Sequence, residues 1–351
     1  RSTPKPSSAA SDVYKRQQLG VEIQFSLNIE VLNNVFTSNG FDINNYELSD
    51  YTSCSVSGNT INSKPLGYFV GQKGVAVTSS NYGELIFLFC EDITVTNVII
   101  SDCSWSVILR DCKNAIIVSN TFENNKIGAI YCKDTSNLTI IENTILFNDQ
   151  YGIYLFDCLN PKVNFNNIYQ NSECGLYFFY CDVSEILGNT VVQNDRKGIH
   201  LQYTAYATLE DNNCSNNLYG LSLVGSYSST LSSNFCCNNS YYGVFLWHSS
   251  GSTIKNNTCN FNEYGLYLAT STFVINNTFS NNYYGIYIDQ TSRSTITYNT
   301  IAHSTSYGIY IYYKVTNNTI WLNNFIDNNL GGTSQAFSYT PENMFYNSTT
   351  K

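Results

Sequence analysis

The sequence predicts an all-β protein, a right-handed parallel β-helix solenoid with coils of about 23 residues and an asparagine ladder. Three observations predict it. A phrase of the type Y-G-I-Y-L recurs with its glycine position at Gly83, Ser106, Gly128, Gly152, Gly175, Gly198, Gly220, Gly243, Gly265, Gly285 and Gly308. A short way before each, from the second onward, stands an asparagine: Asn97, Asn120, Asn143, Asn166, Asn189, Asn212, Asn234, Asn257, Asn277 and Asn299, with Asn318 continuing the series. After the glycine position, apolar positions alternate with polar or tyrosine positions, as in Ile153/Leu155, Leu176/Phe178, Ile199/Leu201, Leu221/Leu223, Val244/Leu246, Leu266/Leu268, Ile286/Ile288 and Ile309/Ile311.

Each element of the coil has a reason. Alternation with period two gives a strand with one buried face. A second short strand surrounds the asparagine, as in Thr139 to Ile145. Identical strands stack about 4.8 Å apart along the axis. Asparagine suits a corner because its amide can bond the same amide above and below. Glycine is expected to supply the unusual backbone angles of the bends. No segment repeats apolar residues at helical spacing, so helices are expected to be rare. The L-x-x-L-x-L frame of leucine-rich repeats and the six-residue sub-period of left-handed β-helices are both absent.

In chain order, residues 1–17 share none of this grammar and carry no apolar signal-peptide core; the expectation is a non-native scar. Residues 18–58 read as irregular N-terminal coils, residues 59–330 as the β-helix, and residues 331–351 as an exit segment cut short. Charged residues are 12% and the net charge is −9, which excludes nucleic acid as a partner, since phosphate binding needs Lys and Arg. No apolar run is long enough for a transmembrane segment. The sequence carries no signal for oligomeric state. The 12 cysteines follow the repeat: Cys90, Cys112, Cys158 and Cys181 occupy one position, and Cys214, Cys236 and Cys259 another. They read as stacked buried thiols, with Cys90–Cys112, Cys158–Cys181 or Cys236–Cys259 close enough to pair. Sequons such as Asn137, Asn256 and Asn347 suit a surface protein.

From Gly58 the text is more specific. Asn59, Ile61, Pro65 and Leu66 lead through a Gly-rich hairpin to Gly83, Leu88, Cys90, Ile93, Thr94 and Val95. This resembles the NosD-like β-helix family, the carbohydrate-binding and sugar-hydrolase β-helix domain, and the likeness covers residues 58–330. The resemblance implies an extracellular, cell-surface or periplasmic protein whose partner is a polysaccharide or cell-surface glycan. It also raises copper, which calls for clustered His, Met or thiolate. With a single Met344 and His200, His248 and His303 at three different repeat positions, the reading is no metal and no cofactor.

Two candidate sites remain. Residues just past the Y-G-I-Y-L strand include Arg110-Asp111, Lys133-Asp134, Asp157 and Asp182. On stacked coils Asp111, Asp134 and Asp157 would form an acidic line, with carboxylates spaced as in a retaining glycosidase. The competing reading is turn aspartates that serve the backbone. Polygalacturonase phrases are missing, and the Y-G-F-D-P-H-D phrase of alginate epimerases survives only as Tyr151-Gly-Ile-Tyr-Leu-Phe-Asp157. Polyuronate lyases also need basic groups that this face lacks. The second candidate is an outward row of Tyr154, Tyr177, His200, Tyr267, Tyr287 and Tyr310, whose rings and hydroxyls suit sugars or simply brace the sheet. The expectation is therefore a structural or carbohydrate-binding scaffold. The alternatives are a hydrolase, lyase or epimerase acting through the aspartates and, third, a copper maturation factor.

Overall fold

The computed structural model describes residues 19–346, so residues 1–17, Asn347 and the last residues to Lys351 lie outside it. Within it the chain winds as a parallel β-helix. Every inward pair named above, from Ile153 and Leu155 to Ile309 and Ile311, is fully buried. Tyr151–Phe156 pairs in parallel with Gly128–Lys133 before it and Cys174–Phe179 after it, like set on like. The stack makes one sheet of 15 strands and one of 13. A third face has five strands at one end and three at the other. Between them it thins to isolated bridges at Asn213, Phe235 and Thr258. Among the described residues the helical element is one short turn, Leu48–Thr52.

The asparagine ladder is present and does more than pair side chains. Asn143 Nδ2 donates to Asn166 Oδ1 and Asn166 Nδ2 to Asn189 Oδ1, both at 3.0 Å. The backbone N–H of each donates to the same oxygen at 2.9 Å. The second amide hydrogen goes to backbone carbonyls, Ile117 for Asn143 and Ile140 for Asn166. A buried corner leaves backbone groups that no strand can satisfy, and the amide supplies both a donor and an acceptor there. The ladder starts at Asn120 and ends at Asn323. Two members of the predicted series fall outside it. Asn97 precedes the corner residue Val98, whose N–H donates to Asn120 Oδ1. Asn318 belongs to a different corner, where it bonds Asn343 and the N–H of Ser294.

A second ladder runs five residues behind the first, through Asn125, Asn148, Asn171 and Asn194 and on through Asn217, Asn239, Asn262 and Asn282. A third corner uses thiols and hydroxyls. Cys158 N–H donates to Cys181 Sγ, Cys181 N–H to Thr204 Oγ1 and Thr204 N–H to Ser226 Oγ. All 12 cysteines are free thiols, and all but Cys54 are buried.

The glycines work differently from the expectation. The bends take left-handed angles mostly at non-glycine residues, among them Asn97, Asp111, Phe165 and Tyr180. The repeat glycines answer a close approach instead: a Cβ on Gly220 would sit 2.6 Å from the Gly243 carbonyl and 2.8 Å from Asn239 Nδ2. Register also moves two members of the series. Gly128 pairs with Trp105 and Tyr151, which puts Ala129 in the glycine row. Likewise Glu84, not Gly83, stands beside Ser106. Gly128 is small because the Trp105 ring lies 2.3 Å from where its Cβ would be.

Residues 19–61 form two opening coils. Val21–Gln24 pairs with Phe41–Asn44, Glu30–Leu32 with Ser55–Ser57 and Val35–Phe36 with Thr60–Ile61. Thr60–Ile61 then turns antiparallel into Lys64–Val70, which joins the long sheet beside Glu84–Leu88. Val21–Gln24 and Phe41–Asn44 are thereby left as a separate two-stranded layer.

Candidate functional site

The long sheet's outward row is set by the alternation that buries Ile153 and Leu155. In register it runs Ile86, Ile108, Tyr131, Tyr154, Tyr177, His200, Ser222, Phe245, Tyr267, Tyr287, Tyr310 and Phe337. Its first two members are fully buried, whereas Tyr131, Tyr154, Tyr177, Phe245, Tyr267, Tyr287 and Tyr310 are half-buried. The rings lie face to face. Tyr154 stacks on Tyr177 at 4.8 Å and 11°, Tyr267 on Tyr287 at 5.5 Å and 6°, and Tyr287 on Tyr310 at 5.1 Å and 17°. Their faces are therefore turned to one another. Tyr177 O–H donates to Gln202 and Tyr267 O–H to Asp289.

His200 continues the stack at 5.0 Å from Tyr177 but is only 5% exposed, with Nδ1 3.1 Å from the Ser222 carbonyl oxygen. Burial, and then the nearby Lys197 charge, lower its pKa to about 3, so the ring is neutral at physiological pH. Ser222 interrupts the ring series and is fully buried.

At the N-terminal end the opening coils cover this face. Phe41 and Ile43 are fully buried, with the Phe41 ring 6.4 Å from Tyr68. Arg110 is 3% exposed and donates to both carboxylate oxygens of Asp42, at 2.6 and 2.8 Å, and to the Ile43 carbonyl. Its guanidinium also lies 5.3 Å from the Tyr131 ring centre. Glu84, in the row that elsewhere holds glycine, is fully buried and accepts the Phe41 N–H at 2.9 Å. Burial pushes its carboxyl well above the usual range, against the lowering effect of the Phe41 N–H, and favours the protonated form.

Where the covering layer stops, a hollow of about 330 Å³ opens between it and the ring row. Trp105, Tyr131, Tyr151 and Tyr154 form one wall, and Glu22, Asn44, Gln150 and the Asp42–Arg110 pair supply polar groups. Neither Arg110 nor this hollow is readable from the repeat, because Asp42 lies 68 residues from its partner.

The aspartates occupy one stacked row. Asp111, Asp134 and Asp157 have φ of 52°, 50° and 52° and each donates its N–H to the next coil. The same left-handed position is filled by Phe89, Tyr180, Tyr203, Gly225 and His248, so the turn does not require aspartate, although aspartate tolerates it. Tyr180, not Asp182, continues the row; Asp182 instead accepts the Ala205 N–H. Burial and then Asp134 raise the pKa of Asp111. Burial raises that of Asp134, with Lys133 opposing at 3.7 Å and Asp157 adding to the rise.

Residues 183–351 match the family model described as periplasmic copper-binding protein (NosD), and residues 47–191 match the right handed beta helix region. The chain belongs to the NosD-like right-handed parallel β-helix family. Among solved structures, the NosD-like chain is similar to the A-modules of two Azotobacter vinelandii mannuronan C-5 epimerases. For AlgE4 the identity is 15%, 82% of this chain and 90% of that one are covered, and the TM-score is 0.63. For AlgE6 the figures are 13%, 82% and 89%, and 0.65. The periplasmic alginate epimerase AlgG is similar at 12% identity over 87% of this chain and 74% of that one, TM-score 0.54. At such identities the likeness is one of fold. Comparison with curated proteins gave no match.

The family description implies copper, and the residues present do not fit it. His200 is buried with Nδ1 against a backbone carbonyl, and His248 and His303 sit on separate coils. No three His, Cys, Asp or Glu side chains converge on a common point among the described residues. Nor is any helix among them long and apolar enough to cross a membrane.

Proposed function

We propose that this protein is an extracellular, cell-surface or periplasmic scaffold that binds glycan along the outward face of its long sheet. The observation that carries the reading is the row of half-buried stacked rings, Tyr131, Tyr154 and Tyr177 before the buried His200 and Ser222, and Phe245, Tyr267, Tyr287 and Tyr310 after them. Stacked rings hold their hydroxyls at the coil spacing, a rigid comb of donors and acceptors that costs little ordering entropy on binding. The named polysaccharides of the similar structures, mannuronan and alginate, support glycan as the ligand class.

The alternative, a hydrolase, lyase or epimerase, is favoured by the raised pKa values of Asp111 and Asp134 beside this face. Against it stands the turn position itself, which Phe, Tyr, Gly and His fill equally well. A glycan array run with a reducing-sugar release assay separates the two. Binding without turnover, weakened by Tyr267→Ala and Tyr287→Ala, is the expected result. Turnover lost in Asp134→Asn or Asp157→Asn would establish the enzyme instead, and absence of both would leave a purely structural role.

A further inference from the structure

We infer that the hollow at the edge of the covering layer is a subsite for one pyranose ring of a neutral glycan, selective against uronates. The inference rests on the glycan-binding reading and adds the substrate class and the place where the chain is anchored. The hollow, about 330 Å³, is at the small end of ligand pockets and fits a single sugar ring with a few waters.

Its chemistry is that of a sugar site. Trp105 and Tyr151 are parallel to within 4° with centres 6.4 Å apart, and Tyr131 lies 5.4 Å from Trp105. Trp105 is only 6% exposed, so Tyr131 and Tyr151 make most of this wall, an apolar edge for the C–H groups of a pyranose. The side-chain amides of Asn44 and Gln150 line the same space. Asn44, Gln150, Tyr131, Tyr151 and Tyr154 are all half-buried, and none of their amides or hydroxyls is a buried atom without a partner. Solvent-accessible amides and hydroxyls gathered beside an aromatic wall match a polyhydroxylated ligand.

Charge decides the class. Among the described residues the one cation lining the hollow, Arg110, gives both Nη groups to Asp42. Glu22 then leaves the lining with an excess negative charge. A uronate would bring a further carboxylate into a partly desolvated space without a free cation to meet it. A neutral ring meets no such penalty. The substrate class therefore differs from the polyuronates named for the similar folds.

The test is calorimetric titration of the whole chain with cellohexaose, mannohexaose, and hexamers of mannuronate and galacturonate. Asn44→Ala, Gln150→Ala and Glu22→Lys are compared with the parent, and thermal melting checks that each variant is folded. The expected result is binding of a neutral hexamer about tenfold or more tighter than either uronate, weakened about tenfold by Asn44→Ala and Gln150→Ala. Glu22→Lys, on an exposed side chain, should narrow the gap by raising uronate affinity about fivefold or more. Uronate binding equal to or tighter than neutral binding overturns the inference while keeping the glycan reading. So does neutral binding that none of the three substitutions moves. Failure of every probe to bind removes both.

Discussion

Two stretches of one row, a few coils apart, solve the same problem in opposite ways. At Ile86 and Ile108 the outward position is aliphatic and fully buried, under a layer that carries Phe41 and Ile43. From Phe245 to Tyr310 it is aromatic, half-buried and open, each ring leaning on the next. The inward positions do not differ: Leu85 and Phe87 are as buried as Ile286 and Ile288. The core fixes the coil, and the outward residue then reports what lies over it, chain at one end and solvent or ligand at the other. The boundary between the two regimes is where a polar pair, an acid and an aromatic hollow collect.

The largest expected effect comes from breaking the covered end. Arg110→Ala strands Asp42 in a nearly dry site, which should cost about 3–5 kcal/mol. Hydrogen exchange should then rise across Phe41–Asn44 and Trp105–Arg110 while Tyr284–Ile288 keeps its protection. Equal loss at both ends would mean that the two regions are one cooperative unit. Next in size, Asn166→Ala and Asn277→Ala remove rungs of a ladder common to both regimes. Each should cost about 1–3 kcal/mol, and denaturant titration should find the two similar. A strong difference would locate the contrast in the core instead of the face.

Glu84 gives a smaller effect with a defined sign. Its folded pKa is raised, so the stability it contributes is whole below the ordinary carboxyl value of 4.5 and is lost as pH rises through the folded value. Glu84→Gln, which mimics the protonated acid, should match the parent near pH 4 and melt about 2–4 °C higher near neutral pH. A gap that stays flat with pH would show that folding does not raise the pKa of this acid. Smallest of all, Tyr287→Ala removes one ring from an open stack, for about 0.5–1.5 kcal/mol. A loss above this would make the row a structural brace, whereas a small loss with weakened glycan binding would make it a surface kept for a ligand.

Much of this could be read along the chain. The inward pairs were legible because a period of two inside a period near 23 leaves no other arrangement for so many aliphatics. The first asparagine ladder was legible over Asn120 to Asn299, slipping by one residue at Asn97 and jumping to another corner at Asn318. The second ladder, Asn125 to Asn282, was equally periodic. It stayed hidden because a chain this rich in asparagine offers many false series, and only hydrogen bonds pick the true ones. Asp111, Asp134 and Asp157 stacked in one row as expected, while Asp182 did not follow them.

The sequence by itself determined whatever repeats: the winding, its inward aliphatics, its asparagine corner and the outward tyrosines. Periodicity encodes such features many times over, so a single misplaced residue does not erase them. Only the tertiary structure decided what occurs once. The Asp42–Arg110 pair, Glu84 beneath Phe41 and the hollow beside Trp105 join residues that are remote along the chain and meet only when the opening coils fold over the sheet. A contact made once leaves no pattern in the sequence, because its partners are chosen by where the chain lies in space.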